Sequence, residues 1–233
     1  MSTTTEKNGS TATKNRIAEV PAKVGPKGKR IEIAAPNMIE AVFTIRGLVP
    51  YVGNKFSAKA QQKIRETQEA GSTSRKGQKR EAKDFSAAYE GARHISREGW
   101  DGMPASAFRC AMISACRTVG FAMTLAKLAV FCVADGSDRE DGTPLVRFTK
   151  GKPVMHVGPA RNDNGGIDLR ARPMFAEGWE AKVRLRFDAD ILTLADVANL
   201  LTRVGLQVGI GEGRPDSKSS AGCGWGLFSV CEK

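Results

Sequence analysis

The chain has 233 residues, with 36 Lys and Arg against 25 Asp and Glu, a formal charge of +11, and aromatic residues make up only 6% of it. That length supports one elaborated domain with a sizeable core, and the charge favours polyanionic partners such as nucleic acid over acidic or neutral ones. No apolar run approaches the roughly 20 residues that span a bilayer, the start MSTTTEKNGSTATKN lacks the apolar core of an export signal, and the five cysteines contain no C-x-x-C pair. These features predict a cytoplasmic protein with no membrane contact, with reduced and mostly buried thiols, and with no metal or other cofactor.

Residues 1 to about 30 carry seven Lys or Arg, two Glu and few large apolar side chains. Such a segment cannot offset the entropy of ordering and reads as a basic arm, leaving residues 31–233 as a single domain. From Ile39 the pattern changes. Ile39, Ala41, Phe43 and Ile45 alternate with Glu40, Val42, Thr44 and Arg46, the period of a half-buried strand, which Gly47 and Pro50 end. A second basic stretch, Lys55 to Lys83, holds nine Lys or Arg against Glu66, Glu69 and Glu81, and its first part, FSAKAQQKIRETQEA, has helix-forming composition. Next, Pro104 suits the first turn of a helix whose apolar stripe is Phe108, Ala111, Met112, Ala115 and Val119, closed by Gly120.

KLAVFCV, Lys127 to Val133, reads as a buried strand. Residues 134–178 are rich in Gly, Pro and Asp, with short extended pieces at 145–148, 154–157 and 167–172, and predict a hairpin or small β-subdomain. EAKVRLRFD then sets Ala181, Val183, Leu185 and Phe187 against Lys182, Arg184 and Arg186, a strand with a basic outer surface. Thr193 and Asp196 form a capping box ahead of a stripe of Leu194, Val197, Ala198, Leu201 and Val204, and Gly205 stops that helix. LFSVC closes the chain. In order, the core elements are strand, helix, strand, strand, helix, strand. The fold class expected is therefore α+β, a ferredoxin-like or RNA-recognition βαββαβ core, with insertions at about 48–100 and 134–179.

Between the last helix and the last strand lies GIGEGRPDSKSSAGCGWG, with glycine at six of its eighteen positions. Closely spaced glycines let a backbone approach a ligand and turn its N–H groups inward, and phosphate is the natural guest. Arg214 and Lys218 add charge, while Ser217, Ser219 and Ser220 add hydroxyl donors that hold a phosphodiester without reading its base. An ATPase-type loop needs Gly-Lys-Ser/Thr opening a helix, whereas here Ser217 precedes Lys218 and the loop runs into a strand. The dinucleotide fingerprint between strand and helix is missing too.

Three segments, in order, resemble a known family: AVFTIRGLVPYVG, GMPASAFRCAMISACR and GIGEGRPDSKSSAGCGWGLFSV. They are similar to the opening strand, the Gly/Pro-x-Ser helix start and the C-terminal glycine-rich loop of the RAMP superfamily. These are the RNA-binding proteins of CRISPR effector complexes, and the likeness is strongest to the backbone subunits that polymerise along guide RNA. The resemblance extends to a phage- or plasmid-encoded relative of them. The resemblance implies a single RNA strand passing Asn54, Lys55 and Ser57, then Ser106 and Arg109, held by Gly211, Gly213, Arg214, Ser217 and Lys218. Lys182, Arg184, Arg186 and the Lys55–Lys83 arm would add phosphate contacts. It also implies a homo-oligomer along the strand, although the chain is short for a backbone subunit. The open sheet face lacks the paired aromatics that stack bases, so weak sequence selectivity and strong salt dependence are expected.

Some members of that superfamily cleave RNA with a histidine or an aspartate, and His94, Asp84 and Asp101 are the candidates here. A working base needs a neighbour that tunes it, and nothing in the spacing supplies one. The expectation is a binding protein with no catalytic residues, whose partner is single-stranded RNA or DNA. A phage single-stranded DNA-binding or particle protein and a RAMP-type endoribonuclease are the alternatives.

Overall fold

A computed structural model describes residues 33–56, 62, 66, 83–161, 167–217 and 222–231. The basic N-terminal arm, most of the Lys55–Lys83 stretch including Ser57, and Lys218 lie outside the described residues.

The alternation in the first and fourth core segments sets up the main sheet. β1 (Met38–Gly47) runs antiparallel to β9 (Glu180–Asp188) over nine register pairs, from Met38↔Asp188 to Arg46↔Glu180. β10 (Phe228–Val230) joins the other edge of β1, antiparallel, at Ile45↔Val230. The far edge of β9 is shared: β4 (Val130–Val133) pairs with residues 184–187, and β6 (Pro144–Lys150) pairs with residues 180–181. β3 (Gly102–Pro104) and β5 (Gly136–Ser137) pair in turn with β6. The strand order across the predicted core elements is thus β10-β1-β9-β4, all antiparallel. With helices packed on this sheet, the chain is α+β.

One face of the sheet is apolar because the odd-numbered residues of β9 all point to it: Ala181, Val183, Leu185 and Phe187 are fully buried. Against them pack Phe108, Met112 and Ala115 of α2 (Ala105–Ala115), and Val197, Leu200 and Leu201 of α4 (Leu194–Arg203). Each large side chain removed from water here is worth about 1.5–3 kcal/mol before entropy is counted. The capping box forms as expected. Thr193 Oγ1 accepts from Asp196 N–H at 3.1 Å, and the Asp196 carboxylate accepts from Thr193 N–H at 2.9 Å.

Several local readings need correction. Lys127 to Ala129 of KLAVFCV end a short helix, α3 (Met123–Ala129), so only Val130–Val133 is strand. Leu194 is exposed, and Leu200 takes its place in the core. Gly205 does not stop α4, which continues as a π-turn over Val204–Val208. A Cβ at Gly205 would sit 2.1 Å from the Phe228 carbonyl oxygen, so this glycine exists to let β10 come close. α2 gives way to a 3₁₀ turn at Cys116–Thr118 before Gly120. Of the cysteines only Cys116 is buried; Cys110 and Cys223 are exposed, and none is paired.

The two inserted regions meet. Within the second, β7 (Pro153–Arg161) and β8 (Ile167–Phe175) form the expected hairpin, and β8 also pairs with β2 (Tyr51–Val52) at the start of the first. α1 (Phe85–Gly91), capped by Asp84 at Ala87 N–H, packs on β8. A ring cluster holds this junction together: Phe148 stacks on Phe175 with centroids 3.9 Å apart, and Tyr51 meets both Phe148 and Trp179 edge-on. Trp179 is 1% exposed and its indole N–H donates to Val49 O at 3.0 Å. Burial holds the Tyr51 phenol well above its usual range. Among the described residues, no helix is long and apolar enough to cross a membrane.

Candidate nucleic-acid interface

The glycine-rich segment is built differently from the expectation. Five of its amides are engaged within the fold: those of Ile210, Glu212 and Gly226 donate to the carbonyls of Gly226, Val52 and Pro50, and those of Cys223 and Trp225 both donate to Gly213. The glycines serve the same purpose. A Cβ at Gly211 would lie 2.6 Å from the Tyr51 ring, and one at Gly213 would lie 2.6 Å from the Trp225 indole. At Gly211 and Gly213 the residue type is dictated by protein packed against protein.

What the segment does make is one wall of a groove. The opposite wall is α2. Two adjoining hollows of about 340 and 310 Å³ share Ala107, Gly211 and Arg214. The first continues along α2 past Ser114 and Arg117 to Asp216; the second leads to Asn54, His94 and Glu212. Arg214 stands where they join, its guanidinium donating to Gly211 O at 3.0 Å. Asp216 ties the two walls together, accepting from the Ser114 hydroxyl and from Arg117 Nη2 at 2.7 Å. The Ser114 hydroxyl and the Arg117 charge hold its carboxyl below the usual range. Behind the second hollow, Arg172 Nε faces Glu212 Oε2 at 2.9 Å without hydrogen-bond alignment. Burial raises the Glu212 carboxyl above its ordinary value against the pull of Arg172.

Through His94, the second hollow adjoins a buried polar cluster. Lys55, expected on the strand path, is instead buried, with its ammonium 2.6 Å from Asp138 and 2.9 Å from Glu140. The physical reason is Asp138, which is fully buried and needs a cation to remain ionised. Burial alone would raise the Asp138 carboxyl, but hydrogen bonds from Lys55 and the Glu140 N–H bring it below its ordinary value. The second oxygen of Asp138 faces His94 Nδ1 at 3.2 Å.

The remaining cations lie on the sheet. Lys182, Arg184 and Arg186 project from the face of β9 away from the buried odd-numbered residues, opposite Thr44, Val42 and Glu40 of β1. Val42 is 49% exposed. Arg184 pairs with Asp135 at 2.9 Å. Arg186 lies over Phe131 of β4 at 5.8 Å from the ring centroid, and Arg109 lies over the same ring at 4.8 Å. Arg109 also donates to the carbonyls of Lys127 and Val130, so it caps α3 as well as covering a ring.

Of the residues named from sequence, Asn54, Gly211 and Arg214 meet in the groove, and Lys182, Arg184, Arg186 and Arg109 gather on or beside the sheet face. Ser106 is exposed on the first turn of α2, and Gly213 and Ser217 are half-buried in the glycine segment. Sequence reasoning missed the groove roles of Arg117, Asp216 and Glu212, and the partner of His94. No spacing signal could have found them, because Arg117 and Asp216 are 99 residues apart and His94 and Asp138 are 44 apart. Compared with known proteins, the chain matches no family model and no curated protein.

Proposed function

We propose that this chain binds single-stranded nucleic acid, RNA in the first instance, by its sugar–phosphate backbone, and that the strand lies in the groove between α2 and the glycine-rich segment. The observation that carries this reading is Arg214, whose guanidinium donates to Gly211 O and which lines both of two adjoining hollows of about 340 and 310 Å³, with Arg117 lining the first and Asn54 the second. The contacts would come mainly from side chains, since the amides of Ile210, Glu212, Cys223, Trp225 and Gly226 are engaged internally. The cations of β9 supply a second, more open surface for the same strand. The strand order β10-β1-β9-β4 supports a ferredoxin-like core, and with it the likeness to RAMP proteins, binding without sequence selectivity and repetition along a strand as a ribonucleoprotein subunit.

Salt titration tests the reading. For a single strand, each phosphate that the protein ceases to neutralise should reduce the slope of log K against log salt by about 0.7. Arg117→Ala with Arg214→Ala should therefore flatten the slope by about 1.4, and Lys182→Ala with Arg186→Ala should flatten it less. Unchanged slopes in both pairs, in folded protein, would remove the proposal. Cleavage of bound RNA is a second reading, favoured by one observation: His94 is oriented by a buried carboxylate, an arrangement that suits a general base. RNA cut by the wild type and left intact by His94→Ala supports it; RNA left intact by both removes it.

A further inference from the structure

Asp138 determines which proton His94 carries. One carboxylate oxygen receives the Lys55 ammonium at 2.6 Å and the Glu140 N–H at 2.9 Å, and the other faces His94 Nδ1 at 3.2 Å. An ionised carboxylate only accepts, so Nδ1 must bear the ring proton, and Nε2 across the ring is left with a lone pair. No described residue pairs with Nε2. His94, its side chain 10% exposed, lines the second hollow with Asn54, Glu212 and Arg214.

A neutral acceptor at that point does nothing for a phosphate oxygen, which is also an acceptor. It needs a donor. Along a sugar–phosphate backbone, the donor beside each phosphate is the ribose 2′-hydroxyl, which DNA lacks. We infer that His94 Nε2 accepts the 2′-hydroxyl of a bound nucleotide and makes this groove prefer RNA to DNA. The inference rests on the proposed strand-binding reading and adds to it the residue that distinguishes the sugars.

The surroundings keep the ring neutral at pH 7. Burial lowers the His94 pKa from its ordinary value, and Lys55 acts in the same direction, while Asp138 and Asp141 oppose them. Glu212, Arg214 and Tyr51 line the same hollow as His94. Acid reverses the chemistry: a protonated imidazole donates from both nitrogens, which suits phosphate and no longer selects ribose.

The test is equilibrium binding, by fluorescence anisotropy, of one sequence made as ribo-, deoxyribo- and 2′-O-methyl oligonucleotide, with strands verified intact afterwards. At pH 7.5 the ribo strand should bind tighter by about 2- to 13-fold for each ribose contacted, the range of one neutral hydrogen bond. The 2′-O-methyl strand, which has no donor, should behave as the deoxy strand does. His94→Phe should bring the ribo strand down to the deoxy strand. In the wild type, once pH is taken below the His94 titration midpoint, followed by NMR, the deoxy strand should bind more tightly and the preference shrink. These wild-type arms stand even if the variant does not fold. Equal affinity for all three strands, or a preference that survives in folded His94→Phe, overturns this inference alone. Failure to bind any single strand overturns the strand-binding reading with it.

Discussion

Gly224 and Gly226 offer a test of why the C-terminal segment is glycine-rich. Both have positive φ, 75° and 73°, so alanine at either should cost about 1–2 kcal/mol for the left-handed backbone. Their surroundings differ. A Cβ at Gly224 meets nothing within 4 Å, whereas one at Gly226 would fall 1.8 Å from the Ile210 carbonyl oxygen. That oxygen belongs to main chain and cannot swing aside. Accommodating the methyl means parting the strand entry from residue 210, which breaks the Ile210 N–H to Gly226 O bond at 3.1 Å and the Gly226 N–H to Pro50 O bond at 2.8 Å. At about 1 kcal/mol net for each bond, Gly226→Ala should be less stable than Gly224→Ala by about 2 kcal/mol. For a domain of this size that separates the two melting temperatures by about 4–8 °C in calorimetry or circular dichroism. A separation of less than about 1 °C would refute the argument that close backbone approach, rather than turn conformation alone, requires glycine here.

Two further outcomes follow from the buried cluster under the groove. Lys55→Met leaves the fully buried Asp138 carboxylate without its cation, so urea denaturation should show a loss of about 3–5 kcal/mol, and the His94 titration midpoint, followed by NMR, should move up. Stability should also fall with acid in two stages. His94 has a folded pKa below its ordinary 6.5, so the unfolded chain takes up the proton first, and stability declines as pH falls from 6.5 through the folded value. Asp138 has a folded pKa below its ordinary 3.8, so the stability it lends is present above that pH and is lost as pH falls through the folded value. Urea midpoints measured from pH 7.5 to 3 check both stages, and His94→Phe should erase the first.

The elements read correctly from sequence are those whose burial follows one period along one segment. β1 and β9 alternate because one face of each meets the helices, and α4 announces itself through Thr193 and Asp196, whose bonds are local. Where two periods overlap the reading fails. KLAVFCV is apolar throughout, so nothing in it marks the change from helix to strand at Val130. The candidate site was legible as composition and not as geometry. Arg214 and Asn54 stand out as polar groups beside glycines and a strand end, but Lys55 carries the same signal and is drawn inward by an aspartate 83 residues away. Glycine was the most misleading cue, because close approach of a backbone to a ligand and close approach of a backbone to its own fold demand the same residue.

The ring cluster at the junction of β2, β6 and β8 has a mechanical consequence. Phe148 belongs to the main sheet and Phe175 to the hairpin, and Trp179 backs onto Gly47, where a Cβ would come within 2.0 Å of the indole nitrogen. Displacing the hairpin at Phe175 would therefore disturb the end of the first strand and, through the bonds from Glu212 and Gly226 to Val52 and Pro50, the groove wall itself. Two excursions of the chain, separated by the whole of its central helices, are geared together as one lever arm.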